Sequence, residues 1–234
     1  MAISPQDRRD QPLASYIDHT LLKPDATEAQ VRELLAEAAE HRFASVCLPP
    51  VYVPLAAKTL QGSPVRVGTV IAFPLGYSHP EARRAESLQA IADGADELDT
   101  VLNVSWLKSG DDARVLDDLA AWVAAARQAR QGLTLKVILE TALLSDPEKQ
   151  RSARLVVECG ADFVKTSTGF AKSGATVEDV RLLAATVAGR IAVKASGGIR
   201  ELPSAFAMIA AGATRLGTSS GVALLRALDQ LNQP

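Results

Sequence analysis

The chain has 234 residues, 47% hydrophobic and 22% charged, a composition that excludes a disordered chain, a collagen-like fibre and a disulfide scaffold. Its 25 Lys and Arg against 27 Asp and Glu leave a formal charge of −2, without the basic excess that nucleic-acid or anionic-membrane partners call for. Cys47 and Cys159 are far apart and lack CxxC spacing, so they read as free thiols in a reducing compartment. The opening Met1-Ala2-Ile3-Ser4-Pro5 is polar and carries no apolar run of a secretory signal, and no segment reaches the ~20 apolar residues of a membrane span. A cytoplasmic protein is expected.

Residues 1–12 are polar and contain Pro5 and Pro12, so they are expected to form a flexible N-terminal segment ahead of a single catalytic domain over residues 13–234. From there, short β-branched or apolar runs alternate with alanine-rich segments of helical period. Strands are predicted to begin near Ile17, Ser45, Val67, Glu97, Leu135, Phe163, Ala192 and Arg215. The mean spacing of about 28 residues suits one strand, one helix and two short loops. Thr27 is a predicted N-cap, followed by Val31, Leu34, Leu35 and Ala38 on one helical face. Asp146 before Pro147 predicts a second helix start, ending at Gly160, and Thr176 a third, with Glu178 and Asp179 complementing the helix dipole. Gly94, Gly132 and Gly212 punctuate further helix ends. Alternation of this kind makes a parallel sheet covered by helices, and eight units predict closure into a (β/α)8 TIM barrel. An open doubly wound sheet is the rival, but neither G-x-G-x-x-G nor G-x-x-x-x-G-K-[ST] is present to support it.

Within the strands, alternation sorts the two faces. Leu135, Val137 and Leu139 suit the helix side, which turns Lys136 and Glu140 inward. The same rule turns Lys165 inward opposite Val164, Lys194 opposite Val193, and Asp99 opposite Leu98. Ile17-Asp18-His19-Thr20 is ambiguous alone, though inward Asp18 and Thr20 would be consistent. So many interior charges are costly unless they pair. Lys165 and Lys194 are each followed by a Ser/Thr/Gly-rich turn, and the C-terminal ends of barrel strands are where catalysis takes place in this fold.

Two inward lysines on neighbouring strands could hold their ammonium groups about 6 Å apart. At an effective dielectric of ~20 the repulsion is roughly 2.8 kcal/mol, or about two pKa units, and desolvation pushes the same way. One amine can then stay partly neutral at pH 7 and attack a carbonyl to form a Schiff base. Asp99 is placed to relay protons. The turns Ser196-Gly197-Gly198-Ile199-Arg200 and Gly217-Thr218-Ser219-Ser220-Gly221 follow the last two strands, where freed N–H groups and helix N-termini form phosphate cradles.

These segments closely resemble the deoxyribose-phosphate aldolase family of class I aldolases. The resemblance runs from Tyr16 through Ile17-Asp18-His19-Thr20-Leu21-Leu22-Lys23-Pro24, Gly94-Ala95-Asp96-Glu97-Leu98-Asp99, Lys136-Val137-Ile138-Leu139-Glu140-Thr141, Lys165-Thr166-Ser167-Thr168-Gly169-Phe170 and Val193-Lys194-Ala195-Ser196-Gly197-Gly198-Ile199-Arg200 to Gly217-Thr218-Ser219-Ser220-Gly221. It implies reversible cleavage of 2-deoxy-D-ribose 5-phosphate to D-glyceraldehyde 3-phosphate and acetaldehyde, in deoxyribonucleotide catabolism. By motif position it implies Lys165 as Schiff-base nucleophile, Lys194 as the lysine that lowers its pKa, and Asp99 as proton donor and acceptor. Asp18, Lys136 and Thr20 complete the polar network, and Gly169, Gly197, Gly198, Ser219 and Ser220 bind phosphate. No metal or organic cofactor is implied. The expected partners are a small phosphorylated sugar and a short aldehyde, in a homodimer that binds neither nucleic acid nor membrane.

The chain departs from the family pattern at Leu48-Pro49, at Ala72 (where glycine is usual), at Ser105-Trp106 and at Ala171-Lys172-Ser173. None of these removes a proposed catalytic group. The competing reading is a phosphosugar isomerase or synthase barrel that uses acid–base groups without a covalent lysine. A metal-dependent aldolase would need clustered ligands, yet His19, His41 and His79 fall in separate units. His19 is expected to serve as a structural hydrogen-bonding residue and the other two to lie at the surface.

Overall fold

The computed structural model describes residues 12–231, so the expected flexible segment lies outside the described residues except for Pro12. Eight parallel strands, β1 (Ile17–Thr20), β2 (Ser45–Leu48), β3 (Arg66–Ile71), β4 (Glu97–Val101), β5 (Thr134–Ile138), β6 (Phe163–Lys165), β7 (Ala192–Ser196) and β8 (Arg215–Thr218), pair in chain order. β8 closes on β1 with Asp18 opposite Gly217, which makes the predicted (β/α)8 barrel. Six of the predicted strand starts coincide with the observed ones. The other two strands begin one residue earlier, at Arg66 and Thr134. Both are polar residues outside the apolar runs, drawn into the ladder because their N–H groups donate to Ala44 O and Asp96 O.

The helices outside the barrel are α1 (Glu28–His41), α2 (Val53–Thr59), α3 (Pro80–Ala92), α4 (Val104–Lys108), α5 (Asp112–Ala129), α6 (Asp146–Glu158), α7 (Val177–Val187), α8 (Leu202–Ala210) and α9 (Gly221–Leu231). Thr27 closes a capping box with Gln30, and Thr176 accepts from the Asp179 N–H at 3.1 Å, as the sequence predicts. The cap of α6 falls one residue earlier than predicted, on Ser145. Its N–H and hydroxyl both donate to the Glu148 carboxylate, at 2.8 and 2.9 Å, and Asp146 becomes the first helical residue. The long spacing from β4 to β5 is filled by α4, a short extra helix capped by Asn103.

Ile17, Val46, Leu98, Val137, Val164, Val193 and Leu216 belong to the apolar core between sheet and helices. Their strand neighbours Asp18, Cys47, Asp99, Lys136, Lys165 and Lys194 are just as buried but face the barrel interior, where the carboxylates and lysines bond across it. At the opposite, N-terminal end of the strands, Asp96 accepts from the Val67 N–H and Asp162 from the Leu135 N–H. Arg130 and Arg127 of the α5 end neutralise these two carboxylates, at 3.1 and 2.7 Å. That end serves stability and leaves the other free for chemistry.

His19 lies on the helix side, with Nε2 2.7 Å from a Glu37 carboxylate oxygen of α1, so it is structural as expected. His79 is exposed, and its ring accepts from the Glu81 N–H at the start of α3.

One exposed position carries avoidable backbone strain. Ala188 ends α7 at φ 48° and ψ 43°, a left-handed conformation that costs a residue with a Cβ about 1–2 kcal/mol and glycine almost nothing. Part of that gain is offset by glycine's greater freedom in the unfolded chain. Ala188→Gly is therefore expected to stabilise the protein by about 0.5–1 kcal/mol. The gain would be read as a higher urea midpoint at unchanged m-value.

Candidate active site

Strand register brings the interior charges together. Asp99 of β4 sits opposite Lys136 of β5, and Lys165 of β6 sits opposite Lys194 of β7. Asp99 is the hub. Its Oδ1 accepts from Lys136 Nζ at 2.8 Å, and its Oδ2 accepts from both Lys165 Nζ at 2.8 Å and Lys194 Nζ at 2.7 Å. Sharing one oxygen keeps the two lysine nitrogens within the sum of those lengths, the proximity that strand spacing predicts. Lys194 Nζ also lies 2.5 Å from Asp18 Oδ2. Asp18 is thus inward, which resolves the ambiguity of the first strand.

Two further charges join this network. Glu97, two residues before Asp99, receives Lys136 at 2.6 Å and Arg215 at 2.9 Å. Arg215 of β8 bridges Glu97 to Asp18 Oδ1 and donates to Ser45 Oγ of β2 at 3.0 Å. The sequence analysis missed both residues. For Glu97 the signal was available, since a residue two before an inward Asp99 faces the same way. Arg215 gave none at its strand edge, because its partners are 197 and 118 positions away in the chain.

The cluster therefore sets four cations, Lys136, Lys165, Lys194 and Arg215, against three carboxylates, Asp18, Glu97 and Asp99. Three cations suffice to balance the carboxylates, and the fourth carries the cost of an uncompensated charge in a dry interior. The titration directions identify the odd amine. Burial lowers the pKa of every buried lysine, but Asp18 and Asp99 outweigh it at Lys194, and Asp99 and Glu97 outweigh it at Lys136, so both shift upward. At Lys165 burial prevails: Asp99 pulls the other way, Lys194 adds its repulsion, and the pKa falls below the ordinary lysine value. Repulsion from the cationic neighbour, expected to lead, acts in the same direction as burial but is the smaller of the two. Asp99 has burial acting to raise its pKa, yet its three lysines together hold it well below the carboxylate range. Cys47, inside the barrel on β2, is pushed up chiefly by burial and stays a neutral thiol.

A cleft of about 320 Å³ opens above the cluster, lined by the loops after β1, β6, β7 and β8. Of the four cluster cations only Lys165 lines it. Thr20, expected in the supporting polar network, lines it as well, and its hydroxyl donates to the main-chain Asp18 O at 2.8 Å and not to a charged side chain. Glu140, expected inward, lies just past β5 at φ 57°. Its carboxylate accepts from both the N–H and the hydroxyl of Thr168 and braces the loop behind Lys165. Phe170, at the end of that loop, meets Phe73 edge-on with centroids 5.3 Å apart and gives the cleft an aromatic border.

Four of the five residues expected at a phosphate, Gly169, Gly197, Gly198 and Ser219, line the cleft. Among the described residues their backbone N–H groups have no hydrogen-bond partner. Ser220 differs: it is not part of the lining, and its N–H donates to Thr218 Oγ1 at 2.9 Å. The β6 and β7 loops touch where a Cβ on Gly174 would fall 2.1 Å from the Gly197 carbonyl oxygen, so glycine is required at 174. The unusual Ala171-Lys172-Ser173 stretch precedes this contact and leaves it intact. Among the described residues no group of three or more His, Cys, Asp and Glu side chains is arranged to hold a metal ion.

Known proteins resemble this chain over most of its length. The family described as DeoC/LacD family aldolase matches residues 13–230. A deoxyribose-phosphate aldolase of Brevibacillus brevis is 55% identical over 210 residues, covering 90% of this chain and 93% of the relative. One from Desulfitobacterium hafniense is 52% identical over 217 residues, covering 93% and 99%. The solved structure of the deoxyribose phosphate aldolase from Aeropyrum pernix, described as tetrameric, superposes with a TM-score of 0.87 at 37% identity, covering 97% of this chain and 93% of that one. A desolvated amine at the mouth of a closed barrel, in a sequence so close to these along its whole length, identifies the chain as a member of the DeoC/LacD family of aldolases.

Proposed function

We propose that the protein cleaves 2-deoxy-D-ribose 5-phosphate reversibly to D-glyceraldehyde 3-phosphate and acetaldehyde, through a Schiff base on Lys165. The observation that carries this reading is the position of Lys165: it is the one cluster amine that reaches the cleft, and it is the one whose pKa is lowered. A neutral Nζ has the lone pair that attacks C1 of the open-chain sugar. Loss of water from the carbinolamine leaves an iminium cation beside Asp99 Oδ2. There the carboxylate stabilises the new positive charge in place of an ammonium.

With C1 held as an iminium, removal of the C3 hydroxyl proton lets the C2–C3 electron pair move into an enamine, and D-glyceraldehyde 3-phosphate departs. Protonation at C2 and hydrolysis then release acetaldehyde and regenerate the amine. Asp99 serves as proton acceptor and donor in this sequence; a carboxylate held so far below its usual range is a weak base that takes a proton up only transiently and gives it back readily. Lys194 stays charged, fixes Asp99 from the far side and repels a proton from Lys165. Asp18 and Lys136 hold Lys194 and Asp99 in place. The free N–H groups of Gly169, Gly197, Gly198 and Ser219, with the Arg200 side chain on the cleft, supply the phosphate subsite.

Borohydride added with acetaldehyde is expected to leave a reduced two-carbon adduct on Lys165, located by peptide mapping. Active protein without that adduct would favour an isomerase- or synthase-like acid–base reaction instead. Replacing Lys194 by Leu removes a repulsive neighbour of Lys165 and frees Asp99 to hold a proton on it, so the Lys165 pKa rises. The neutral amine then persists only at higher pH. The acid limb of the kcat/KM profile should move upward and imine formation at neutral pH should slow, with the barrel still folded. An unmoved limb would contradict the electrostatic role of Lys194. Unphosphorylated 2-deoxyribose should be cleaved with kcat/KM about a hundredfold lower, the worth of two charge-assisted hydrogen bonds; equal use of both sugars would remove the phosphate subsite.

A further inference from the structure

Besides Lys165, two cations line the cleft, Lys23 and Arg200. They flank it from two sides. Arg200 follows the β7 turn, and Lys23 lies between β1 and α1. In the closed barrel β8 stands between β7 and β1, so the loop that carries Ser219 lies between these two, next to Gly197 and Gly198 of the β7 turn.

The local chain holds Lys23 in place. Pro24 disfavours a helical backbone at the residue before it, so the chain stays extended and irregular through residues 21–23. It then turns at Pro24 and Asp25, where the Ala26 N–H donates to Lys23 O at 3.1 Å, and enters α1 through the Thr27 capping box. The backbone is thus anchored while the side chain is exposed. Among the described residues Lys23 has no ion pair, and Asp25, two residues on, does not supply one. An ammonium and several unpaired N–H groups around one cleft create a positive potential that only an anion relieves.

We infer that Lys23 is a phosphate-binding residue, a second cation that closes on the substrate's phosphate from the β1 side while Arg200 holds it from the β7 side. This rests on the phosphosugar reading of the cleft. A phosphate monoester carries about −1.5 to −2 at pH 7. The backbone N–H groups bring no net charge and Arg200 brings one, so a second cation matches the dianion. The side chain is exposed and screened, so its contribution is modest.

The test compares the full-length protein with Lys23→Met and Lys23→Arg, measuring kcat and KM for 2-deoxyribose 5-phosphate and for 2-deoxyribose, with inhibition by inorganic phosphate alongside. Lys23→Met is expected to lower the ratio of kcat/KM between phosphorylated and unphosphorylated sugar about tenfold, as a rise in KM, and to weaken phosphate inhibition to a similar degree. Lys23→Arg should restore most of both. An unchanged ratio, or an equal loss on both sugars, overturns the role of Lys23 while leaving the phosphosugar reading in place. Wild-type protein that uses both sugars equally overturns that reading, and the inference with it.

Discussion

A buried carboxylate shared by two lysines forces a choice about where protons reside. Asp99 Oδ2 lies 2.8 Å from Lys165 and 2.7 Å from Lys194, in an interior from which water is excluded. With Asp18 and Glu97 the chamber offers three negative charges to four cations, and the surplus falls on the amine with the fewest anionic partners. Lys165 touches only Asp99, whereas Lys194, Lys136 and Arg215 each touch two carboxylates. The proposed nucleophile is thus the amine with the fewest anionic partners in a medium where an unpartnered charge is expensive.

The barrel supplies what that assignment needs. Parallel pairing sets Lys165 beside Lys194 and Asp99 beside Lys136, and closure of β8 on β1 brings Arg215 to Asp18. The helices and the outer faces of the strands form the apolar core, so the interior can hold charges without sacrificing the main hydrophobic layer. Breaking any one of the buried pairs would leave its partner uncompensated, an outcome costing roughly 3–5 kcal/mol. Such a cluster is poor material for stability alone, and its position beneath a cleft is consistent with its use in chemistry.

The loops divide the remaining work. Glu140 braces Thr168 behind the nucleophile, and the Gly174–Gly197 approach binds the β6 loop to the β7 turn. Free backbone N–H groups are left facing the cleft, with Lys23 and Arg200 at its sides. The proposed covalent centre and anion subsite share one segment, residues 165–169, so the proposal ties recognition of the phosphate end of a sugar to the placement of its carbonyl end.

Much of this was legible in the chain before folding. Period-two alternation turned Asp99, Lys136, Lys165 and Lys194 inward, because a side chain on a strand has only two faces to choose from, and the glycine-rich turns after the last strands marked the cradle. The β-branched and apolar runs located the eight strand starts to within a residue. Which charges meet across a closed barrel was not legible: Arg215 finds Asp18 and Glu97 only through closure, and Ser220 loses its N–H to Thr218 through the local turn. The rank of desolvation over like-charge repulsion at Lys165 likewise depended on its depth of burial and its three-dimensional neighbours, which no local pattern encodes.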